Sequence, residues 1–248
     1  WEIWNEPDIA RFWDGPMDEF YVLARETANM VRCVDATAIL VGPACTGPLG
    51  VVMAAGIEGM HAHGVLKQVQ HPSGHLYVAN PRSYYIEYMK LIGAARRFNH
   101  PGAIWITELG APDGGFYPWS ANDDMLAQHV IKAYGIATSL GIDHLVWYCL
   151  RDSGLKSQAQ IPIDSERFFG LLGPGGQWKP SAYAYRLFSR HCSNSIICND
   201  LVQVSGGLAA GQLRSVLYRR ETGDSALVLW FEPTLRPWGT ARVHIDFG

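Results

Sequence analysis

The chain has 248 residues, 48% of them hydrophobic, which is enough to bury a sizeable core in one or two domains. Its formal charge of -3 arises from 20 basic and 23 acidic residues spread without long runs, which argues against nucleic acid as a partner, since that surface needs a basic stripe. No apolar run approaches the ~20 residues needed to cross a bilayer, so no membrane span is expected.

In chain order, Trp1-Glu2-Ile3-Trp4-Asn5-Glu6-Pro7 reads as a strand running into a loop. Glu2 and Trp4 face one side, Trp1, Ile3 and Asn5 the other, and Pro7 stops the strand while biasing Glu6 toward an extended backbone. Asp14-Gly15-Pro16 is a turn, and Phe20, Leu23, Ala24, Thr27, Val31 and Val34 then recur at helical spacing. Ala38 to Gly42 is a short buried strand, a weaker helix covers residues 49–63, and Val65 to Gln70 reads as the next strand, ending at His71-Pro72. Pro81 opens a helix carrying Tyr84, Tyr88, Leu91, Ile92 and Ala95 in phase. The apolar run from Ala103 to Thr107 ends in Glu108 and breaks at Gly110. Ser120 with Asp123 suggests a capped start for the helix through Leu126, Val130, Ala133 and Ala137. Asp143 to Tyr148 is another strand, and after a long polar loop Lys179-Pro180-Ser181 starts a last helix.

These units alternate strand and helix, the rhythm of a parallel α/β sheet. Residues 195–248 differ: two strands joined across Glu221-Thr222-Gly223-Asp224 make a hairpin, and Ala241, Val243, Ile245 and Phe247 alternate with polar residues. The expected division is therefore 1–194 and a small antiparallel β-domain over 195–248. Five cysteines show no metal-ligand spacing, and Cys192 with Cys198 fits either a short disulfide or two small buried hydrophobes. His61-x-His63 lacks a third ligand at useful spacing, so no metal site is expected there.

A carboxylic acid held where a buried strand meets a loop is how a barrel enzyme presents a catalytic group. Here there are two, Glu6 and Glu108. The pair Trp4-Asn5-Glu6-Pro7 and Trp105-Ile106-Thr107-Glu108-Leu109-Gly110 resembles the retaining glycoside hydrolases of clan A, most closely family thirty-nine (β-xylosidases and exopolysaccharide endoglycosidases). The resemblance covers roughly residues 1–190. It implies a (β/α)8 TIM-barrel fold in which the visible units are four to eight, with residue 1 a cut point and a β-sandwich-like accessory domain at the C-terminus. Another copy, or a segment ahead of Trp1, would then complete the barrel.

The resemblance also implies site roles. Glu6 would be the general acid/base and Glu108 the nucleophile of a double displacement without metal or organic cofactor. The two carboxyls would lie ~5–5.5 Å apart. At that distance like charges resist double ionisation, so the acid Glu6 should keep its proton. Asn5 would bind the sugar 2-hydroxyl, His71 would orient Glu108, and Trp147 would form the floor under the sugar. Arg151 and Asp152 would line the cleft, with Trp13, Phe116, Tyr117 and Trp119 as outer sugar contacts. The bland alternatives are a turn-forming Asn, a structural His and core-packing aromatics. The implied partner is an oligosaccharide or polysaccharide, which favours a secreted or periplasmic location. A competing class is a shortened homologue that binds carbohydrate without cleaving it.

Overall fold

The computed structural model describes residues 1–46, 51–114, 121–142, 144–154, 166–199, 203–206, 213–231 and 243–246. Helix α1 (Met17–Val34) buries Phe20, Tyr21, Ala24 and Ala28 along one stripe, with Asp18 and Glu19 in its first turn and Arg32 in its last, each favourable to the helix dipole. Helix α2 (Val51–Ala62) buries Met53, Ile57 and Met60. Strand β1 (Ser73–Tyr77) leads to α3 (Tyr84–Arg97), β2 (Trp105–Gly110) to α4 (Asp123–Ser139), and β3 (His144–Trp147) precedes α5 (Pro180–Cys192).

Every neighbouring pair in this series is parallel. Glu2 and Asn5 bridge to Val41 and Ala44, Val41 and Cys45 bridge to His71 and Gly74, and β1, β2 and β3 pair in that order. Each link is spanned by a helix, so the helices cover the sheet with their apolar stripes. One contiguous core runs from Ile3 and Phe20 through Leu76 and Ile106 to Trp147 and Ala182. The fold is therefore α/β, as the alternation predicts, although the first two extended segments pair only through isolated bridges.

The third strand departs from expectation. Val65–Lys67 is a 3-10 turn, and the strand lies further on, at Ser73–Tyr77. Gly64, in the left-handed region at φ 77°, turns the chain out of α2 so that Val65 and Leu66 enter the core as a helical turn. A short apolar run does not distinguish that from a strand. The true strand, Ser-Gly-His-Leu-Tyr, is buried at its first four residues yet carries few β-formers. Its glycine lets α2 pack close: a Cβ on Gly74 would lie 2.5 Å from the Met53 sulfur, so that side chain would have to shift. At α4 the cap is Asn122, whose side chain accepts from the Met125 N–H at 2.8 Å; Ser120 lies outside the described residues.

Between α3 and α4, His129 is fully buried, with its Nδ1 3.1 Å from the Tyr84 hydroxyl. Burial, aided by the charge of Lys132, pushes its pKa down to about 4. The unfolded chain takes up this proton near pH 6.5, so the stability contributed by neutral His129 is complete above that pH and drains away toward pH 4. The expected loss is up to about 3 kcal/mol. Chemical denaturation of wild type and His129→Phe across this range should show a flatter profile for the variant.

Among the described residues from Ser195 onward, all strand pairing is antiparallel. Strand β4 (Ser195–Ile197) pairs with β6 (Leu213–Arg220), β6 pairs with β7 (Ser225–Phe231), and β5 (Gln203–Gly206) pairs with β8 (Val243–Asp246). The β6–β7 hairpin turns where expected, with Gly223 at φ 91°. It seats on the helices through Tyr218, whose hydroxyl meets Thr138 Oγ1 of α4 at 2.5 Å, and through Trp230 against Gly135. All five cysteines are free, and Cys192 and Cys198 sit in separate small clusters. No helix among the described residues is long and apolar enough to cross a membrane.

Candidate active site

The C-terminal ends of the parallel strands gather the acidic groups. Glu6 is nearly buried, and its backbone N–H donates to the Ala44 carbonyl at 3.0 Å. The expected extended backbone is absent: Trp4 and Glu6 take φ values of 67° and 42°, a left-handed conformation that costs a non-glycine residue of order 1 kcal/mol or more. This curl breaks the strict alternation of the opening strand. Such strain clusters at functional sites because surrounding structure must enforce it.

Glu108 reaches the same place through a bulge. The register of β2 shifts against both neighbours, Gly74/His75 of β1 facing Ile106/Glu108 and Leu145/Trp147 of β3 facing Ile106/Leu109. One extra residue in β2 lets Thr107 and Glu108 turn to the same side. The Thr107 hydroxyl donates to Glu2 Oε1 at 2.7 Å, as does Ser73, so Glu2 is held on the N-terminal side of the site.

His75 joins the two glutamates. Its Nδ1 lies 2.7 Å from Glu6 Oε1 and 3.8 Å from Glu108 Oε2, and it is almost completely buried. Two residues on, and so on the same face of β1, the Tyr77 hydroxyl donates to Glu108 Oε1 in a short hydrogen bond. Each of Glu6, His75 and Glu108 offers an atom within 4.8 Å of the others, the one such His/Cys/Asp/Glu set among the described residues. The 2.7 Å contact has the length of a hydrogen bond, which suits an N–H···O pair better than two ligands spread around a cation.

Burial pushes Glu108 up to about 7; the charges of Glu6, Glu166 and Glu2 push in the same direction, while His75 opposes. Burial alone would lower His75, but its hydrogen bond to Glu6 and the charges of Glu108, Glu6 and Glu2 outweigh it and raise the imidazole. Of the two carboxyls, it is Glu108 whose affinity for a proton is raised by its surroundings.

Several predicted contacts fall elsewhere. His71 does not reach Glu108: it lies ahead of β1, stacks on Trp105 with ring centroids 4.5 Å apart, and its Nδ1 contacts the Ala103 carbonyl at 3.0 Å. The displaced strand explains the miss, and His75 occupies the position expected of His71. Trp147 faces the core, with its indole N–H donating to the Phe169 carbonyl at 3.2 Å. The next residue, Tyr148, faces the site instead: its ring stands edge-on to Tyr77, and its hydroxyl is raised by burial, by Cys149 and by the charges of Glu166, Glu108 and Glu6. Trp13 is packed edge-on against Phe20 and Trp4, with its indole N–H on the Pro16 carbonyl. Asn5 is exposed beside Glu6 with no side-chain partner among the described residues. Arg151 is exposed, while Asp152 is buried against Lys179, not paired with Arg151. Phe116, Tyr117 and Trp119 lie outside the described residues.

No protein-family model and no curated protein matches the sequence. Solved structures do match in fold. A family 39 glycoside hydrolase from the gut symbiont Bacteroides cellulosilyticus WH2 aligns at TM-score 0.67 and 20% identity over 94% of this chain and 47% of that one. A GH39 β-xylosidase from Caulobacter crescentus aligns at 0.59 and 19%, over 88% of this chain and 47% of that one. A glucosidase from Croceicoccus marinus aligns at 0.59 and 14%, over 94% and 54%. The chain thus has the fold of these glycoside hydrolases and spans about half the length of each.

Proposed function

We propose that this chain carries the catalytic pair of a retaining β-glycosidase, part of a clan A (β/α)8 barrel of the family thirty-nine type. The observation that carries the reading is the convergence of Glu6 and Glu108, from non-adjacent parallel segments, to within 4.8 Å at the strand ends, with His75 bridging them. That spacing suits a direct displacement by carboxylate better than the wider gap that admits a water between acid and base.

Glu6 protonates the glycosidic oxygen as the bond to the anomeric carbon breaks, and Glu108 bonds to that carbon. A water then attacks the anomeric carbon, giving a proton to Glu6 and releasing Glu108 with net retention. Tyr77 occupies Glu108 Oε1, which leaves Oε2 to attack. His75 holds Glu6 in place through the hydrogen bond between its Nδ1 and Glu6 Oε1. In this reading Asn5 binds the sugar 2-hydroxyl and the Tyr148 ring forms the platform under the sugar. The chemistry requires no metal or organic cofactor. Its substrate is an oligosaccharide or polysaccharide with a β-linked sugar.

The test uses aryl β-xylosides and β-glucosides. Glu6→Ala should lose about 10²–10⁴-fold on a poor leaving group. It should lose much less on dinitrophenyl glycosides, and azide should restore turnover by forming the β-glycosyl azide. Hydrolysis by wild type with no leaving-group dependence in the variant would remove Glu6 from the acid role. Sugar binding without any hydrolysis by wild type would favour a carbohydrate-binding protein.

A further inference from the structure

Asp113, Asp152 and Lys179 meet in the interior, behind the candidate site. The Lys179 ammonium lies 3.0 and 2.9 Å from the two Asp113 oxygens and 2.6 Å from Asp152 Oδ2, and all three residues are buried. Burying such a group costs several kcal/mol per ion before mutual attraction returns it, and an apolar cluster would hold the chain as well. What the charges add is direction, since each carboxylate oxygen must sit where a donor is.

The three residues come from the loop after β2, the loop after β3 and the residue that precedes α5. Asp152 uses its remaining oxygen, Oδ1, to accept from the Gly170 N–H at 2.8 Å. Gly170 has no room for more: a Cβ there would lie 2.2 Å from the Asp152 backbone nitrogen. The strap 166–172 is thereby laid along the β3 loop, with Cys149 N–H on the Phe169 carbonyl, Leu171 N–H on the Cys149 carbonyl and Asp113 N–H on the Phe168 carbonyl, at 3.0–3.1 Å. This sets the Phe169 ring edge-on to Tyr77 at 5.4 Å and to Tyr148 at 5.7 Å. Tyr77 in turn donates to Glu108. A Cβ on Gly110 would lie 2.4 Å from the Tyr148 carbonyl oxygen and 2.9 Å from the Phe169 ring, so β2, the β3 loop and the strap are locked at van der Waals distance.

We propose that Lys179 is a positioning residue for Glu108: its buried ammonium fixes the strap, and Phe169 on that strap holds Tyr77 and Tyr148 against the acidic pair. The catalytic meaning rests on the glycosidase reading, but the positioning itself is readable without turnover. Glu6, His75, Tyr77, Tyr148, Glu166 and Glu2 face Glu108 or act on it through charge, and of these Tyr77 and Tyr148 touch Phe169.

Two variants test it. The triple change Asp113→Asn, Lys179→Met, Asp152→Asn removes all three charges together and leaves none unpaired. Phe169→Leu keeps the charges and removes the ring. Carboxyl 13C NMR of Glu-labelled protein, with the Glu108 signal assigned by its loss in Glu108→Gln, reads the Glu108 titration directly. Both variants should move its midpoint by at least about half a pH unit, roughly threefold in proton affinity, downward where water enters and upward where only Tyr77 lets go. Thermal unfolding should stay cooperative, and kcat on an aryl β-glycoside should fall at least tenfold with KM little changed. Folded variants whose Glu108 titrates as in wild type would overturn the proposal, leaving the cluster a purely structural tie. If the triple variant does not fold, Lys179→Arg, which keeps the cation but changes its reach, takes its place beside Phe169→Leu, and an unmoved Glu108 midpoint in both folded variants overturns the proposal. A wild type that hydrolyses no glycoside would sink the glycosidase reading and leave the titration result standing.

Discussion

On the double displacement proposed above, Glu108→Gln should cut turnover of an aryl β-glycoside at least about 10⁴-fold, because an amide cannot form the glycosyl ester. The same variant should be more stable than wild type. Burial raises the Glu108 carboxyl to about 7, above the value it has in the unfolded chain, so the folded state resists its ionisation. For an acid with a raised folded pKa, stability declines as pH climbs from the unfolded value to the folded one and stays lower above it. The amide has no charge to lose. At pH 8 it should therefore gain up to about 3 kcal/mol over wild type, and this gap should close toward pH 4.5. With Glu108 as the proposed nucleophile, wild-type kcat/KM should fall below pH about 7, where its carboxyl is protonated. A stabilised but inactive protein is the signature of a group held at a cost for its chemistry. A variant that loses stability and activity together would point to a structural carboxylate.

Lys179→Met should cost about 3–5 kcal/mol, the penalty for removing one partner of a buried ion cluster. Asp113 and Asp152 would remain inside the protein without their cation. Burial already raises the Asp152 carboxyl, with Lys179 opposing. Without the lysine Asp152 would take up a proton more readily, so the variant should recover part of its loss as the pH falls toward 4 or 5. Denaturant titrations at pH 7 and pH 5 would read this. A loss below 1 kcal/mol at pH 7 would mean that water reaches the cluster and screens it.

The parts of this molecule that announced themselves were those written in contiguous residues. Glu6 and Glu108 each close a short motif at a strand end, so type and position agreed. The helices followed from periodicity, and the β6–β7 hairpin from its Thr-Gly-Asp turn. What stayed hidden depended on register or distance. The apolar run at Val65 competed for the strand that lies at Ser73–Tyr77, and with it went His75 and Tyr77. Their spacing of two was nevertheless a usable signal, since it puts an imidazole and a phenol on one face of any strand. Trp147 and Tyr148 differ by one residue, and one residue along a strand exchanges the two faces. The bulge that turns Glu108 inward beside Thr107 has no marker in the chain. Neither does the cluster of Asp113, Asp152 and Lys179, three ordinary charged residues that only the packing of three loops brings together.

The most direct measurement is to trap the intermediate. Incubating the protein with a 2-deoxy-2-fluoro β-glycoside bearing a dinitrophenyl leaving group, then mapping the labelled peptide by mass spectrometry, asks which side chain bonds to the sugar. The account predicts one fluoroglycosyl unit per chain, carried by Glu108 and absent in Glu108→Gln. A label on another carboxylate, or hydrolysis whose first-formed product has the inverted anomeric configuration, would contradict it.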